Sequence, residues 1–131
     1  MSVFCFVDEI TELKKNQSVT AFYTLKGDEE FLEDHFGGFP VMPGVLLLEA
    51  LKQAAAAVLS KQRPAPYRLA LVEGVRFGQF VKPGDRLRIA ARFLRREKDL
   101  DFFAGRIDVV DGSGSVRAKA LTADMALAVA R

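Results

Sequence analysis

Apolar and polar residues alternate most regularly between Leu87 and Phe93, where every second residue is apolar and arginine fills two of the three positions between. This period is typical of a β-strand with one buried face. The β-branched and aromatic content of Val19–Leu25 predicts another strand. Further strands are predicted at Val3–Val7, at Tyr67–Gly74 leading into Val75–Val81, at Phe102–Val110 and at Val116–Val129. Predicted turns are Lys82–Asp85, Lys98–Asp99 and Asp111–Gly114.

One long helix is predicted from Pro43 to about Gln62. Proline suits the first turn of a helix, because its missing N–H has no intrahelical acceptor there. Leucines and alanines spread around most of the helix circumference, and a helix that is apolar nearly all round is usually buried. The segment Arg63–Pro66 ends it.

Two early strands, one long helix and about four long antiparallel strands must share one core. The economical arrangement is an α+β fold in which a curved antiparallel sheet wraps around the helix. At 131 residues the whole chain, 1–131, is expected to form a single domain. Such a sheet leaves edge strands, and a homodimer joined edge to edge would cover them.

Charge is distributed unevenly, although the formal net charge is only +2 and does not argue for nucleic acid by itself. A cluster of acids precedes the helix, and a basic stretch follows it: Arg76, Lys82, Arg86, Arg88, Arg92, Arg95, Arg96 and Lys98. A basic face can steer an acidic macromolecule. A solvated strand face explains the same residues equally well.

Cys5 is the single cysteine, so an intrachain disulfide is excluded and a reducing compartment is expected. No signal peptide is recognisable at the start of the sequence. The most apolar stretch, Val45–Leu59, is interrupted by Glu49, Lys52 and Gln53, and it is too short and polar to span a bilayer. We therefore expect a soluble, cytoplasmic protein. No metal-ligand spacing or glycine-rich phosphate loop is present.

His35 is the only histidine, and the next acid along the chain is Glu49 inside the predicted helix. Histidine can exchange a proton near neutral pH. A carboxylic acid set among leucines has its neutral form favoured by desolvation. The two residues are therefore a candidate acid–base pair.

The segment from His35 to Gln53, HFGGFPVMPGVLLLEALKQ, closely resembles the signature of the hotdog-fold 3-hydroxyacyl-[acyl-carrier-protein] dehydratases of fatty-acid synthesis. Val75–Phe77 with Val81–Asp85 resembles the second characteristic stretch of that family, and Phe6–Asp8 resembles its N-terminal one. The resemblance spans most of the chain in the right order. It implies the hotdog fold, the α+β arrangement expected above.

This sequence departs from the common family pattern at two places. Gly37 stands where the commonest form has proline after His-Phe, and Gly78-Gln79 replaces an arginine-rich pair. The first change is expected to loosen the loop of His35, and the second to alter the acyl tunnel or the carrier contacts. Glu49, where aspartate is the alternative, resembles the branch that dehydrates without isomerising the double bond.

The resemblance implies dehydration of a (3R)-hydroxyacyl thioester to the trans-2-enoyl thioester. His35 would take the C2 proton, and Glu49 would protonate or orient the departing C3 hydroxyl. The N–H of Gly44, at the positive end of the helix dipole, would stabilise negative charge on the thioester oxygen. The carbonyl of Val41 would hold the histidine ring, and Gln53 would lie beside the acid.

In this family the histidine comes from one subunit and the acid from the other, so the resemblance implies two shared sites per homodimer. The acyl chain would occupy a tunnel between protomers, lined by Phe36, Phe39 and Phe77, although these are equally suited to a plain core. An acidic acyl carrier protein is the implied partner, and no cofactor is required. The resemblance leaves undecided whether such dimers assemble further into a trimer of dimers.

Other readings of the same residues stay open. In one alternative, Glu49 is a residue of the helix surface that pairs with Lys52 or Gln53. In another, Gly44 is a glycine needed for packing or for a turn. An acyl thioesterase on the same fold would use Glu49 to activate water and would not need His35. A non-catalytic subunit of a specialised lipid or polyene pathway would bind acyl carrier protein and use the basic stretch as its docking surface.

Overall fold

The computed structural model describes residues 5–14, 17–26, 42–60 and 63–130. The elements in these ranges are β1 (Glu9–Lys14), β2 (Ser18–Thr24), α1 (Gly44–Ser60), β3 (Tyr67–Phe77), β4 (Arg86–Glu97), β5 (Leu100–Val110) and β6 (Val116–Val129). The strands form one antiparallel sheet in the order β1-β2-β4-β5-β6-β3. One hydrophobic core is shared by α1 and the sheet, which confirms the predicted α+β class.

The alternation on β4 predicts its buried face correctly. Leu87 and Ile89 are fully buried, Ala91 is nearly so, and Phe93 packs edge-on against the ring of Phe103. The turn predicted after β4 is present, and both Lys98 and Asp99 have positive φ, 52° and 65°. That conformation matches the two-residue hairpin turns whose twist suits antiparallel strands.

The first strand was predicted too early in the chain. Residues 5–7 are not in a strand, and β1 begins at Glu9 instead. The physical reason is that the Phe6 N–H bonds to the side chain of Gln53 on α1, while the Phe6 ring packs edge-on against Tyr23. The segment is therefore fixed by contacts to the core, and not by a strand ladder.

The strand that was predicted to reach Val81 ends earlier, since β3 extends only from Tyr67 to Phe77. Beyond it, the N–H groups of Gly78 and Gln79 donate to two consecutive carbonyls of β6 at 2.8 and 2.9 Å. The chain then turns towards the helix, and the Met42 N–H donates to the Val81 carbonyl at 2.9 Å. This departure from the sheet opens the space in front of α1.

One wide side of α1 packs on the sheet, through Leu47, Ala50, Leu51, Ala54, Ala55, Val58 and Leu59. The opposite side is only partly covered within the single chain, and Val45 is 69% exposed. The expectation of a helix buried all round is therefore met on one side only. In the described ranges, no helix has the length and hydropathy needed to traverse a bilayer.

Asp101, which is 1% exposed, ties the end of α1 to the sheet. Both terminal nitrogens of Arg63 donate to the Asp101 carboxylate, at 2.8 and 3.3 Å, and Arg96 donates to the same carboxylate at 2.9 Å. The Tyr67 hydroxyl donates to the Arg63 carbonyl at 2.6 Å. Burial raises the pKa of the Tyr67 hydroxyl.

Candidate active site

Glu49 lies in the second turn of α1, on the side of the helix that faces away from the sheet. The Gln53 Nε2 donates to Glu49 Oε2 at 3.0 Å, and the Lys52 ammonium lies 3.0 Å from the same oxygen. The side chain of Glu49 is 35% exposed. The expected setting, an acid enclosed by leucines, is thus not what the single chain shows.

Gln53 links this acid to the start of the chain. Its Oε1 accepts the Phe6 N–H at 2.7 Å while its Nε2 donates to Glu49. Because Phe6 is 1% exposed, the amide is anchored at a fixed point of the core. Gln53 therefore lies beside Glu49 and contributes one hydrogen bond to its carboxylate.

An apolar cavity of about 360 Å³ opens at the N-terminus of α1. It is lined by Met42, Pro43, Gly44, Leu47, Phe77, Gly78, Gln79, Phe80, Val81 and Ala120. Two residues predicted from the sequence, Gly44 and Phe77, meet in its wall. The Leu46 and Leu47 N–H groups donate to the Pro43 carbonyl, whereas the Gly44 and Val45 N–H groups have no acceptor among the described residues, so this end of the cavity favours negative charge.

The wall between Gly44 and Phe77 is tight. A Cβ at Gly44 would lie 2.6 Å from the Phe77 ring, which is closer than any ordinary contact. A larger residue at Gly44 would have to displace the partly exposed Phe77 ring, so the glycine lets this ring pack closely against the first turn of α1. The same absence of a side chain leaves the backbone N–H of this turn open to a ligand in the cavity, so the two interpretations are compatible.

Gly78, one of the two departures from the family pattern, approaches another backbone closely. A Cβ there would lie 2.1 Å from the carbonyl oxygen of Lys119. Glycine thus lets residues 78–79 lie directly against β6 in the cavity wall. At this departure from the family pattern, the main chain of residues 78–79 forms part of the cavity wall.

The basic stretch is partly neutralised by ion pairs. Four of its eight members pair with acids: Arg86 with Glu9, Arg88 with Asp108, Arg95 with Glu97 and Arg96 with Asp101. Within the described part of the chain, Arg76 and Lys82 have no ion pair, and each adjoins a residue that lines the cavity.

Four predicted site residues, His35, Phe36, Phe39 and Val41, lie outside the described residues. Their roles remain predictions. Sequence reasoning did not select Met42, Phe80 or Ala120, which line the cavity, because apolar residues of this kind are common in any core.

Comparison with known proteins decides the family. The profile described as ApeI-like, ApeI dehydratase, matches residues 11–114. The chain belongs to the ApeI-like dehydratase family. It is 38% identical over 116 residues to the 3-hydroxyacyl-[acyl-carrier-protein] dehydratase FabZ of Thiobacillus denitrificans, covering 84% of this chain and 79% of that protein. The FabZ of Polynucleobacter asymbioticus is 40% identical over 112 residues, covering 83% of this chain and 74% of that protein.

Solved structures agree with this ApeI-like dehydratase in fold. The dehydratase heterocomplex ApeI:P from Xenorhabdus doucetiae matches with a TM-score of 0.74 at 18% identity, over 97% of this chain and 84% of that one. The smu.793 protein of Streptococcus mutans, bound to acetyl CoA, matches with a TM-score of 0.68 at 12% identity, over 99% and 93%. These likenesses confirm the hotdog fold.

Proposed function

We propose that this ApeI-like dehydratase removes water from 3-hydroxyacyl-[acyl-carrier-protein] thioesters and forms trans-2-enoyl thioesters, in fatty-acid or related acyl-chain biosynthesis. Relatives that carry this activity in their names cover most of the chain. The observation that carries the proposal is the Glu49 carboxylate, held by Gln53 on the helix whose N-terminus opens into an apolar cavity.

In the proposed mechanism His35 takes the C2 proton, and the electron pair forms the new double bond while the C3–O bond breaks. Glu49 either protonates the departing hydroxyl or orients it to receive the proton that His35 has taken from C2, and in both cases the hydroxyl leaves as water. The Gly44 N–H stabilises the charge that develops on the thioester oxygen. General acid–base help of this kind contributes roughly 10²–10⁴-fold.

The proposed site is shared between the two protomers of a homodimer, with His35 from one and Glu49 from the other. Two features support such a dimer. The partly covered side of α1 carries Glu49, and β3 is an edge strand with Leu71 37% and Phe77 57% exposed. A second protomer would bury both surfaces and enclose the acid.

An acidic acyl carrier protein is the proposed substrate carrier. Arg76 and Lys82 are sequence neighbours of the cavity-lining residues Phe77 and Val81, and neither has an ion pair among the described residues, so we propose that they form the charged rim on which a carrier docks. Charges at such a rim chiefly accelerate association. We also expect a reducing compartment such as the cytoplasm, because Cys5 is the single cysteine and is exposed.

The test is to incubate the purified protein with 3-hydroxyacyl thioesters of several lengths and to follow conjugated enoyl formation by absorbance. Enoyl formation that is lost in both His35→Ala and Glu49→Ala would support the proposal. Release of free thiol without enoyl product, retained in His35→Ala, would instead identify a thioesterase. Folded variants that keep full pathway function would identify a non-catalytic subunit.

A further inference from the structure

Two donors from successive positions of α1 converge on a single oxygen of Glu49. Lys52, three residues on, and Gln53, four residues on, each approach Oε2 at 3.0 Å. Positions i+3 and i+4 lie on the same face of a helix as position i, so the backbone itself brings the three side chains together.

Convergence on Oε2 has a consequence for the other oxygen. A carboxylate offers about two lone-pair sites on each oxygen, and two donors occupy those of Oε2. Within the described residues, Glu49 Oε1 has no donor. It is therefore the oxygen available to a substrate hydroxyl.

We propose that Lys52 is a positioning residue for the dehydration: with Gln53 it fixes Glu49 Oε2 and thereby presents Oε1 to the 3-hydroxyl of the substrate. This inference rests on the proposed function. It assigns to Lys52 a role through Glu49, and no contact with the reacting atoms.

The burial of Lys52 distinguishes it from an ordinary surface pair. Its side chain is 21% exposed, whereas Lys14 and Lys26, which also lie near acids, are each 59% exposed. Their distances to the acids are 4.0 and 3.9 Å, against 3.0 Å for Lys52. A half-buried ammonium at short range restrains a carboxylate more firmly than an exposed one, because solvent competes less.

Removing the ammonium would leave Gln53 as the only described donor to the carboxylate. One hydrogen bond allows the carboxylate to turn about its last torsion, because rotations at terminal sp³–sp² bonds are soft. Glu49 would then spend less time in the productive orientation. A positioning error of this kind lowers kcat, since substrate binding by the apolar cavity is unchanged.

The experiment compares steady-state kinetics of Lys52→Met, Lys52→Gln and Lys52→Arg with the unmodified chain. Methionine keeps the apolar stem without the charge, glutamine is a second neutral replacement, and arginine restores a cation. Lys14→Met is the matched control, because it removes a lysine from an exposed pair. Thermal unfolding of each variant separates catalytic effects from misfolding.

We expect both neutral variants to lower kcat about 10-fold with KM changed less than about 2-fold, and Lys52→Arg to regain most of the loss. Lys14→Met should match the unmodified chain. Neutral Lys52 variants that keep normal kcat, or an arginine variant as impaired as methionine, would overturn the inference alone. No enoyl formation by the unmodified chain would overturn the proposed function as well.

Discussion

Gly78→Ala is the substitution for which the structure gives the clearest prediction. The added Cβ would lie 2.1 Å from the carbonyl oxygen of Lys119. The obstacle is the main chain of β6, and not the mobile end of a side chain, so rotation of a neighbouring side chain cannot relieve it. Reaching an ordinary contact requires the two segments to separate by about 1 Å.

That separation would break the hydrogen bonds that Gly78 and Gln79 donate to β6 at 2.8 and 2.9 Å. A hydrogen bond of this type contributes about 0.5–1.5 kcal/mol, so we expect the free energy of unfolding to fall by about 1–3 kcal/mol. For a domain of this size the midpoint of thermal unfolding would drop by roughly 3–10 °C. Because residues 78–79 form the cavity wall, activity should fall too.

The assay is thermal or urea unfolding together with enoyl formation on a long and a short acyl substrate. Gly112→Ala is the matched control, since a Cβ there meets nothing within 4 Å, and its effect should stay within about 0.5 kcal/mol. If Gly78→Ala unfolds and reacts like Gly112→Ala, the reasoning about the close backbone approach is refuted.

Three further predictions concern other parts of the molecule. Gly44→Ala should lower kcat/KM but cost little stability, because the added Cβ would displace the ring of Phe77, which is 57% exposed and lines the cavity. Unchanged kinetics would contradict this prediction. Asp101→Ala should destabilise by about 2 kcal/mol in urea unfolding, since it removes the shared acceptor of Arg63 and Arg96; an unchanged midpoint would refute that estimate. Hydrogen bonds from Ser113 and Ser115 lower the pKa of Asp111 below 3.8, so its contribution to stability is complete above pH 3.8 and is lost as pH falls through the folded-state pKa. The difference in unfolding midpoint between Asp111→Asn and the unmodified chain should therefore narrow in acid, and a difference that widens would contradict the sign.

Strands with strong alternation could be predicted from the sequence. The buried face of β4 follows from Leu87 and Ile89, and the predicted bounds of β6, Val116–Val129, agree with those observed. These strands are long and half-buried, so their periodicity reports their environment directly. The edge strand β1 was missed because its side chains are nearly all exposed, which leaves no apolar period to detect.

The candidate site was predictable where chemistry depends on residue type and local spacing. Glu49 and Gln53 are one helical turn apart, so their contact follows from the helix itself. The close approach of Gly78 to β6 was not predictable, because it joins segments far apart in the chain and depends on backbone positions. The partial exposure of Glu49 was missed for a similar reason, since sequence does not tell which side of α1 the sheet covers.

The most direct test of the shared site is to mix His35→Ala and Glu49→Ala proteins, each inactive alone, under conditions that allow subunit exchange. A mixed dimer would contain one site with both residues and one with neither. Random exchange of equal amounts should therefore restore about a quarter of the unmodified activity. A mixture that exchanges subunits and stays inactive would contradict a catalytic pair that meets across the subunit boundary.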